Sequence, residues 1–263
     1  MITYELFVKD KQGTINAVER MRSKYDKFAE KKVREAILKQ TYFARQAIDM
    51  ATSTSDLMNI QPSSVSAYVR EAYVAIYTSV GSAFAAETYK QVKPLASKAK
   101  EDDAMKDEWS RQMERYLDVY GAVRIAKVAE TTEASTRKII NNQVKIGMVN
   151  GDGIDVIKRS IMKAVDGISA SRARMIARTE VVGASNQGSL IGAQASGVAL
   201  KKRWLTAHNK IPPRPSHKAA DGQTVGMFDM FKVGEDELNA PGDPQGTAAE
   251  VINCRCTVIY VRA

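Results

Sequence analysis

The chain has 263 residues, 44% of them hydrophobic and 26% charged, with a formal net charge of +9. That composition supports a buried core and excludes wholesale disorder, and the length allows one or two domains. Two cysteines in the whole chain exclude a disulfide-framework secreted fold, and no basic stretch followed by an apolar run opens the sequence as a secretory signal.

The positive charge is uneven, with a net +7 over residues 1–197 and +2 over 198–263. Signs alternate locally, as in Lys31-Lys32-Val33-Arg34-Glu35, which reads as a solvated helix face. The excess also suits sequence-independent attraction to DNA phosphates, which fades with salt. No base-reading motif accompanies it, so specific DNA recognition is not expected, and no DNA-facing residue is assigned.

In chain order, Thr14 is the predicted cap of a first helix. Ile15, Val18, Met21, Tyr25, Phe28, Val33 and Ile37 recur behind it at helical spacing. Unbroken to Met50, such a helix is about 55 Å long, enough for a protruding arm or a long bundle. Residues 52–62, rich in Ser and Thr and closed by Pro62, are predicted as a loop. A second helix covers 64–92, with Tyr68, Ala72, Ile76, Val80 and Phe84 at steps of four, and Lys93-Pro94 ends it. A third begins near Asp102 and carries Trp109, Met113, Tyr116, Tyr120 and Val123 on one stripe. That spacing points to packed core rather than a ligand site.

Thr131 or Thr132 is predicted to cap the next helix, which runs to Val149. Asn150-Gly151-Asp152-Gly153 is a turn signal, without the residues of a dinucleotide fingerprint or a calcium loop. A helix over 154–165 is predicted to end at Asp166-Gly167. Ser169 or Ser171 then caps a helix reaching about Ser196. Gly183, Gly188, Gly192 and Gly197 punctuate it, at up to about 1 kcal/mol for each interior glycine relative to alanine. Close approach of another backbone would explain them; otherwise the helix is weak and needs its neighbours. The uncharged stretch 181–200 is too polar for a membrane span.

After Gly197 the texture changes. Five of the seven prolines fall in 212–244. Residues 199–206 and 254–262 read as strands, with turns at Asp221-Gly222 and Pro241-Gly242-Asp243-Pro244. The fold class is α+β: a long, mainly α-helical N-terminal region followed by a small loop-rich α+β C-terminal module. We divide it into a helical arm or bundle over 1–130, a helical connector over 131–197 and the module over 198–263.

That module holds both histidines and both cysteines of the chain, with Asp221 and Asp243. Two thiolates and two imidazoles (Cys254, Cys256, His208, His217) would make a tetrahedral zinc set. The C-x-C spacing resists it, because i and i+2 of a straight strand stand about 6.6 Å apart; a kinked start would remove the objection. A Cys254–His217–Asp triad and a nuclease with His217 as base and Arg255 on phosphate are the enzymatic alternatives. The simplest reading is a polar structural site of His217, Asp221, Cys254, Arg255 and Cys256. It has no catalytic residue and no cofactor, and zinc on His217, Cys254 and Cys256 is the alternative.

Several ordered strings carry a resemblance. They are Trp204-Leu205-Thr206-Ala207, Arg214-Pro215-Ser216-His217, Asp221-Gly222-Gln223-Thr224-Val225, Phe231-Lys232-Val233-Gly234, Pro241-Gly242-Asp243-Pro244, and Glu250-Val251-Ile252-Asn253-Cys254-Arg255-Cys256-Thr257. With the preceding Ser171-Arg172-Ala173-Arg174-Met175-Ile176-Ala177-Arg178-Thr179-Glu180 and Asn186, they resemble the Mu F-type phage head morphogenesis family, the minor head proteins of tailed bacteriophages. The sequence departs from that pattern at His208-Asn209, where an acidic residue is usual, and at Pro212-Pro213. The histidine that matches is His217.

The resemblance implies a non-catalytic virion component of the capsid interior, with portal, capsid or scaffold proteins as partners, and a role in head assembly and in DNA packaging or ejection. Some relatives carry a toxin or nuclease domain beyond this module; with Ala263 as the last residue, none is expected here. The host cytoplasm is then its place during assembly. The alternative functions are a nucleic-acid-cleaving enzyme using His217, or a structural zinc module.

Overall fold

The computed structural model describes residues 10–92, 101–207 and 212–263, so His208 lies outside the described residues. The elements are α1 (Lys11–Met50), α2 (Thr54–Met58), α3 (Ser66–Ile76) and α4 (Ser82–Val92), then α5 (Glu101–Tyr116), α6 (Ala122–Asn150) and α7 (Ile154–Ala195). The C-terminal part adds β1 (Leu200–Leu205), α8 (Pro215–Ala220), β2 (Thr224–Gly226), β3 (Phe231–Val233), β4 (Asp236–Leu238), α9 (Ala248–Val251) and β5 (Thr257–Arg262). The α+β class with a helical N-terminal region is as the sequence predicts.

Several boundaries differ, each for a local reason. α1 starts before Thr14, because the Asp10 carboxylate accepts the Gly13 N–H at 2.7 Å and takes the capping role. The predicted loop 52–62 contains α2, opened by a capping box in which Ser53 and Asp56 exchange side-chain and backbone bonds. Thr131 and Thr132 lie inside α6, where their hydroxyls bond back to the Lys127 and Val128 carbonyls at 2.7 Å. Asp166-Gly167 does not end a helix either; α7 runs through both.

Two π-turns, Tyr77–Gly81 between α3 and α4 and Leu117–Gly121 between α5 and α6, account for the buried pattern. A step of four overshoots an α-turn by about 40°, and a wider turn takes back most of that drift. Ala72, Ile76, Val80, Phe84 and Thr88 therefore stay buried at steps of four. On the next helix the buried line is Trp109, Met113, Leu117, Gly121 and Ile125. The predicted stripe fails beyond Met113: Tyr120 is 45% and Val123 82% exposed.

The chain divides into two compact units. One comprises Glu30–Tyr73 and Ala122–Arg174. Its core joins Ala44 and Ile48 of α1 to Ile139, Ile140 and Val144 of α6, and to Ile157, Ile161 and Val165 of α7, with Ala51, Leu57 and Ile60 between. At its edge Arg172 donates to Thr132 Oγ1 at 3.0 Å and Arg45 pairs with Asp166 at 2.6 Å.

The other comprises Met1–Ala29, Val74–Gly121 and Met175–Ala263. Here the glycines of α7 mark close backbone approach, the first of the two explanations. A Cβ at Gly188 would collide with Gly81, and one at Gly192 with Ala85. Gly183 faces Gly242, whose φ of 84° also requires a glycine. The sheet is antiparallel in the order β2-β1-β5, with Lys202 opposite Tyr260 and Trp204 opposite Val258. β3 and β4 form a separate hairpin. Trp204, Phe231, Val233, Leu238, Val258 and both cysteines share one core with Leu190 and Ala193 of α7.

The second predicted strand begins at Thr257, not at residue 254. Asn253 has a φ of 57°, so the chain turns sharply just before the cysteines.

Candidate functional site

Pro215 opens α8 at its first turn, where a missing N–H leaves no bond unmade. Two residues on, His217 points into the core at 2% exposure. The kinked segment between α9 and β5 brings Cys254 and Cys256 to the same ring. His217 Nδ1 lies 3.3 Å from Cys256 Sγ and 3.7 Å from Cys254 Sγ. On the opposite side, His217 Nε2 stands 3.0 Å from Glu250 Oε2 but makes no hydrogen bond with it. Glu250 is held in place by the Ser216 hydroxyl at 2.7 Å.

The ring is fixed from its flanks. Trp204 meets it edge-on, with centroids 5.6 Å apart. The Trp204 indole N–H donates to Thr206 Oγ1 at 3.1 Å, and that hydroxyl donates to the His217 carbonyl at 2.6 Å. The Trp-x-Thr string is thus a buried hydrogen-bond relay that anchors α8 to the end of β1.

The two thiols are unequal. The hydrogen bond from Cys254 brings the Cys256 thiol down to about 4 against the opposing effect of burial, helped by His217 and the Ala207 N–H. Cys254 is pushed up by the same bond and by burial. Its sulfur in turn accepts the Cys256 N–H at 3.4 Å. Chemically this is a buried imidazole–thiol cluster with one sulfur disposed to carry negative charge.

The other predicted site residues do not join it. Asp221 Oδ1 accepts the Thr206 N–H at 2.8 Å, and Oδ2 pairs with Lys11 Nζ. Asp221 therefore pins the α8–β2 turn. Arg255 contributes its backbone carbonyl to Arg22 at 3.2 Å. Its guanidinium is held below the ordinary arginine range by burial and by Arg178, with Glu19 opposing. Asp243 braces its own turn, accepting N–H groups from Asn239 at 2.8 Å and Gln245 at 3.0 Å.

Sequence reading gave no role to four residues that build the site. Glu250 appeared only as part of a string. Arg22, 3% exposed, donates to Ser185 Oγ, Asn186 Oδ1 and the carbonyls of Arg255 and Cys256. Asn186 itself donates to the Pro241 and Cys256 carbonyls and accepts from Thr257 and Val258. Lys202 is fully buried on β1, with Nζ 2.8 Å from the Asn239 carbonyl and over the Phe231 ring. Its place in the alternation with Leu200 and Trp204 is the one signal that could have revealed it.

A glycine-packed helix thus leads into a small sheet module, and buried polar side chains tie the two together. Residues 138–259 match the family described as Phage Mu protein F like protein. Over that stretch the chain is similar to the Phage Mu protein F-like family. It is similar to the minor head protein GP7 of Bacillus phage SPP1, at 28% identity over 54% of this chain and 47% of that one. It is also similar to the uncharacterized protein YqbB of Bacillus subtilis (strain 168), at 27% over 50% of this chain and 44% of that one. A third relative, the NAD(+)–arginine ADP-ribosyltransferase EFV of Enterococcus faecalis, is 30% identical over 46% of this chain and 25% of its own length. The chain thus spans less than half the length of each of these relatives. No solved structure matches.

Proposed function

We propose that this chain is a non-catalytic minor head protein of a tailed phage, placed at the portal or capsid interior. Its helices would engage portal, capsid or scaffold proteins, and its C-terminal module would act as a compact docking unit. The carrying observation is the Mu F-like match together with the burial of the chemistry-bearing residues. His217, Cys254 and Cys256 are each no more than 3% exposed, so a substrate would have no approach to them. The net +7 over residues 1–197 supports non-specific contact with packaged DNA. Among the described residues no helix is long and apolar enough to cross a membrane.

Mass spectrometry of purified procapsids and virions tests the placement. We expect the chain in both or in one; absence from both ends the proposal. The DNA contact is tested separately by gel shift at 50 and 300 mM salt, where binding that does not weaken with salt, or no binding at all, removes it. Cleavage of DNA or RNA by the purified chain, lost in a folded His217→Ala variant, would replace the structural reading with an enzymatic one. ADP-ribosyl transfer is the printed activity of one relative, only a quarter of which is spanned here, and we do not extend it to this chain.

A further inference from the structure

We propose that His217, Cys254 and Cys256 form a binding site for one zinc ion, ligated through Nδ1 and the two sulfurs. The three ligand atoms all lie within 4.8 Å of one another and all three residues are buried. For Zn–S bonds of about 2.3 Å and Zn–N bonds of about 2.0 Å, a tetrahedron sets sulfur and nitrogen about 3.5 Å apart. The observed separations of 3.3 and 3.7 Å bracket that value. The ligands therefore need little movement to close on a metal.

The C-x-C spacing is met by backbone geometry. Asn253 in the left-handed region folds the chain before Cys254, and Cys256 N–H turns back onto Cys254 Sγ at 3.4 Å. That bend puts both sulfurs on one side without the span of an extended strand. The same N–H donor suits a thiolate, because it stabilises charge on sulfur without competing for the metal.

Glu250 supplies an independent indication. A metal-bound imidazole ordinarily donates its other N–H to a carboxylate, a backbone carbonyl or water, which fixes the tautomer and the ring plane. With Nδ1 facing the sulfurs, Nε2 is the buried nitrogen left without a hydrogen bond, and Glu250 Oε2 stands 3.0 Å from it. A small rotation of the ring completes that bond. Two soft thiolates and an imidazole select zinc over hard cations such as magnesium or calcium. Among the described residues the cluster offers three ligands, which leaves one coordination position for solvent or another donor.

Burial makes the role structural, a clamp joining α8 to the start of β5. It stands apart from the virion placement, since metal content is measured on the purified full-length chain. Elemental analysis of protein prepared without chelator should return about one zinc per chain. After removal and reloading with Co(II), a thiolate-to-cobalt charge-transfer band should appear. Cys254→Ser and Cys256→Ser should each abolish that band. Glu250→Gln should keep it while weakening metal affinity roughly 10–100-fold. Wild-type protein that is metal-free, has both thiols reduced and gives no such band on loading would overturn the proposal, as would a Cys254–Cys256 disulfide or a band that survives loss of both cysteines.

Discussion

Replacement of Gly188 and of Gly167 by alanine should shift stability in opposite directions, although both lie inside the same helix. A Cβ at Gly188 would stand 2.7 Å from both the carbonyl carbon and the Cα of Gly81. Carbon atoms prefer about 3.5–4.0 Å, so α7 must retreat by about 1 Å. The obstacle is backbone in a π-turn, not a side chain that can rotate away. Overpacking of this kind costs about 1–3 kcal/mol, and the gain in helix propensity returns up to about 1 kcal/mol. We expect a net loss of about 2 kcal/mol, at the upper end because backbone must move. At Gly167 nothing lies within 4 Å of the new methyl group, so only the propensity gain remains, up to about 1 kcal/mol.

Urea denaturation resolves the two. Trp109 and Trp204 both belong to the unit that contains Gly188, so fluorescence reads that substitution. The unit that contains Gly167 holds no tryptophan, so far-UV circular dichroism, which reads the helices of both units, is compared with fluorescence to follow it. A Gly188→Ala variant with an unchanged or raised midpoint would refute close helix contact there. A lowered midpoint for Gly167→Ala would show that the helix is not continuous through Asp166-Gly167.

Three further outcomes follow from buried polar contacts. Arg22→Ala should lose roughly 2–3 kcal/mol by urea denaturation, because it strands bonds to Asn186 and to two carbonyls in a dry interior; a neutral result would mean that these groups find water. Burial holds the Lys202 ammonium down to about 8 from 10.5, with Asp243 and Asp229 opposing. Between those values the unfolded chain binds a proton that the folded chain lacks, so this group makes stability rise with pH across that window and adds no slope below it. Urea midpoints from pH 7 to 10 should therefore show a smaller rise in Lys202→Met than in the wild type. Asn253→Ala should cost about 1–2 kcal/mol and Asn253→Gly should be near neutral, since the left-handed φ of 57° excludes only the former; equal effects in thermal melts would contradict that backbone conformation.

The helices were legible because steps of three and four survive in the sequence even where tertiary contacts decide the details. Their ends were less so. Thr131, Thr132 and Asp166-Gly167 carry the chemistry of caps and stops, yet α6 and α7 pass through them because buried residues continue on both sides, Ala129 and Thr136 on α6 and Val165 and Ala173 on α7. Local propensity of a few tenths of a kcal/mol yields to such burial. The π-turns left no composition mark, and with them went the burial of Tyr120 and Val123. At the candidate site, His217 and the cysteines stood out by rarity. Their partners did not, since Glu250 is 33 residues from His217 and Arg22 reaches Cys256 across 234 positions.

Most polar side chains that brace the C-terminal part share one property: they bond to backbone. Arg22, Asn186, Lys202, Arg214, Asp221 and Asp243 all donate to carbonyls or accept N–H groups of the C-terminal part. A module whose strands run three to six residues satisfies few backbone groups through ladders. Buried backbone left unpaired is costly, so side chains must take the place of missing strands. That requirement explains why Arg22, Asn186, Lys202 and Asp243 are polar although they are buried. It also explains why these residues look catalytic in isolation. A zinc ion on His217, Cys254 and Cys256 would extend the same principle, cross-linking loops where regular structure is too short to do so.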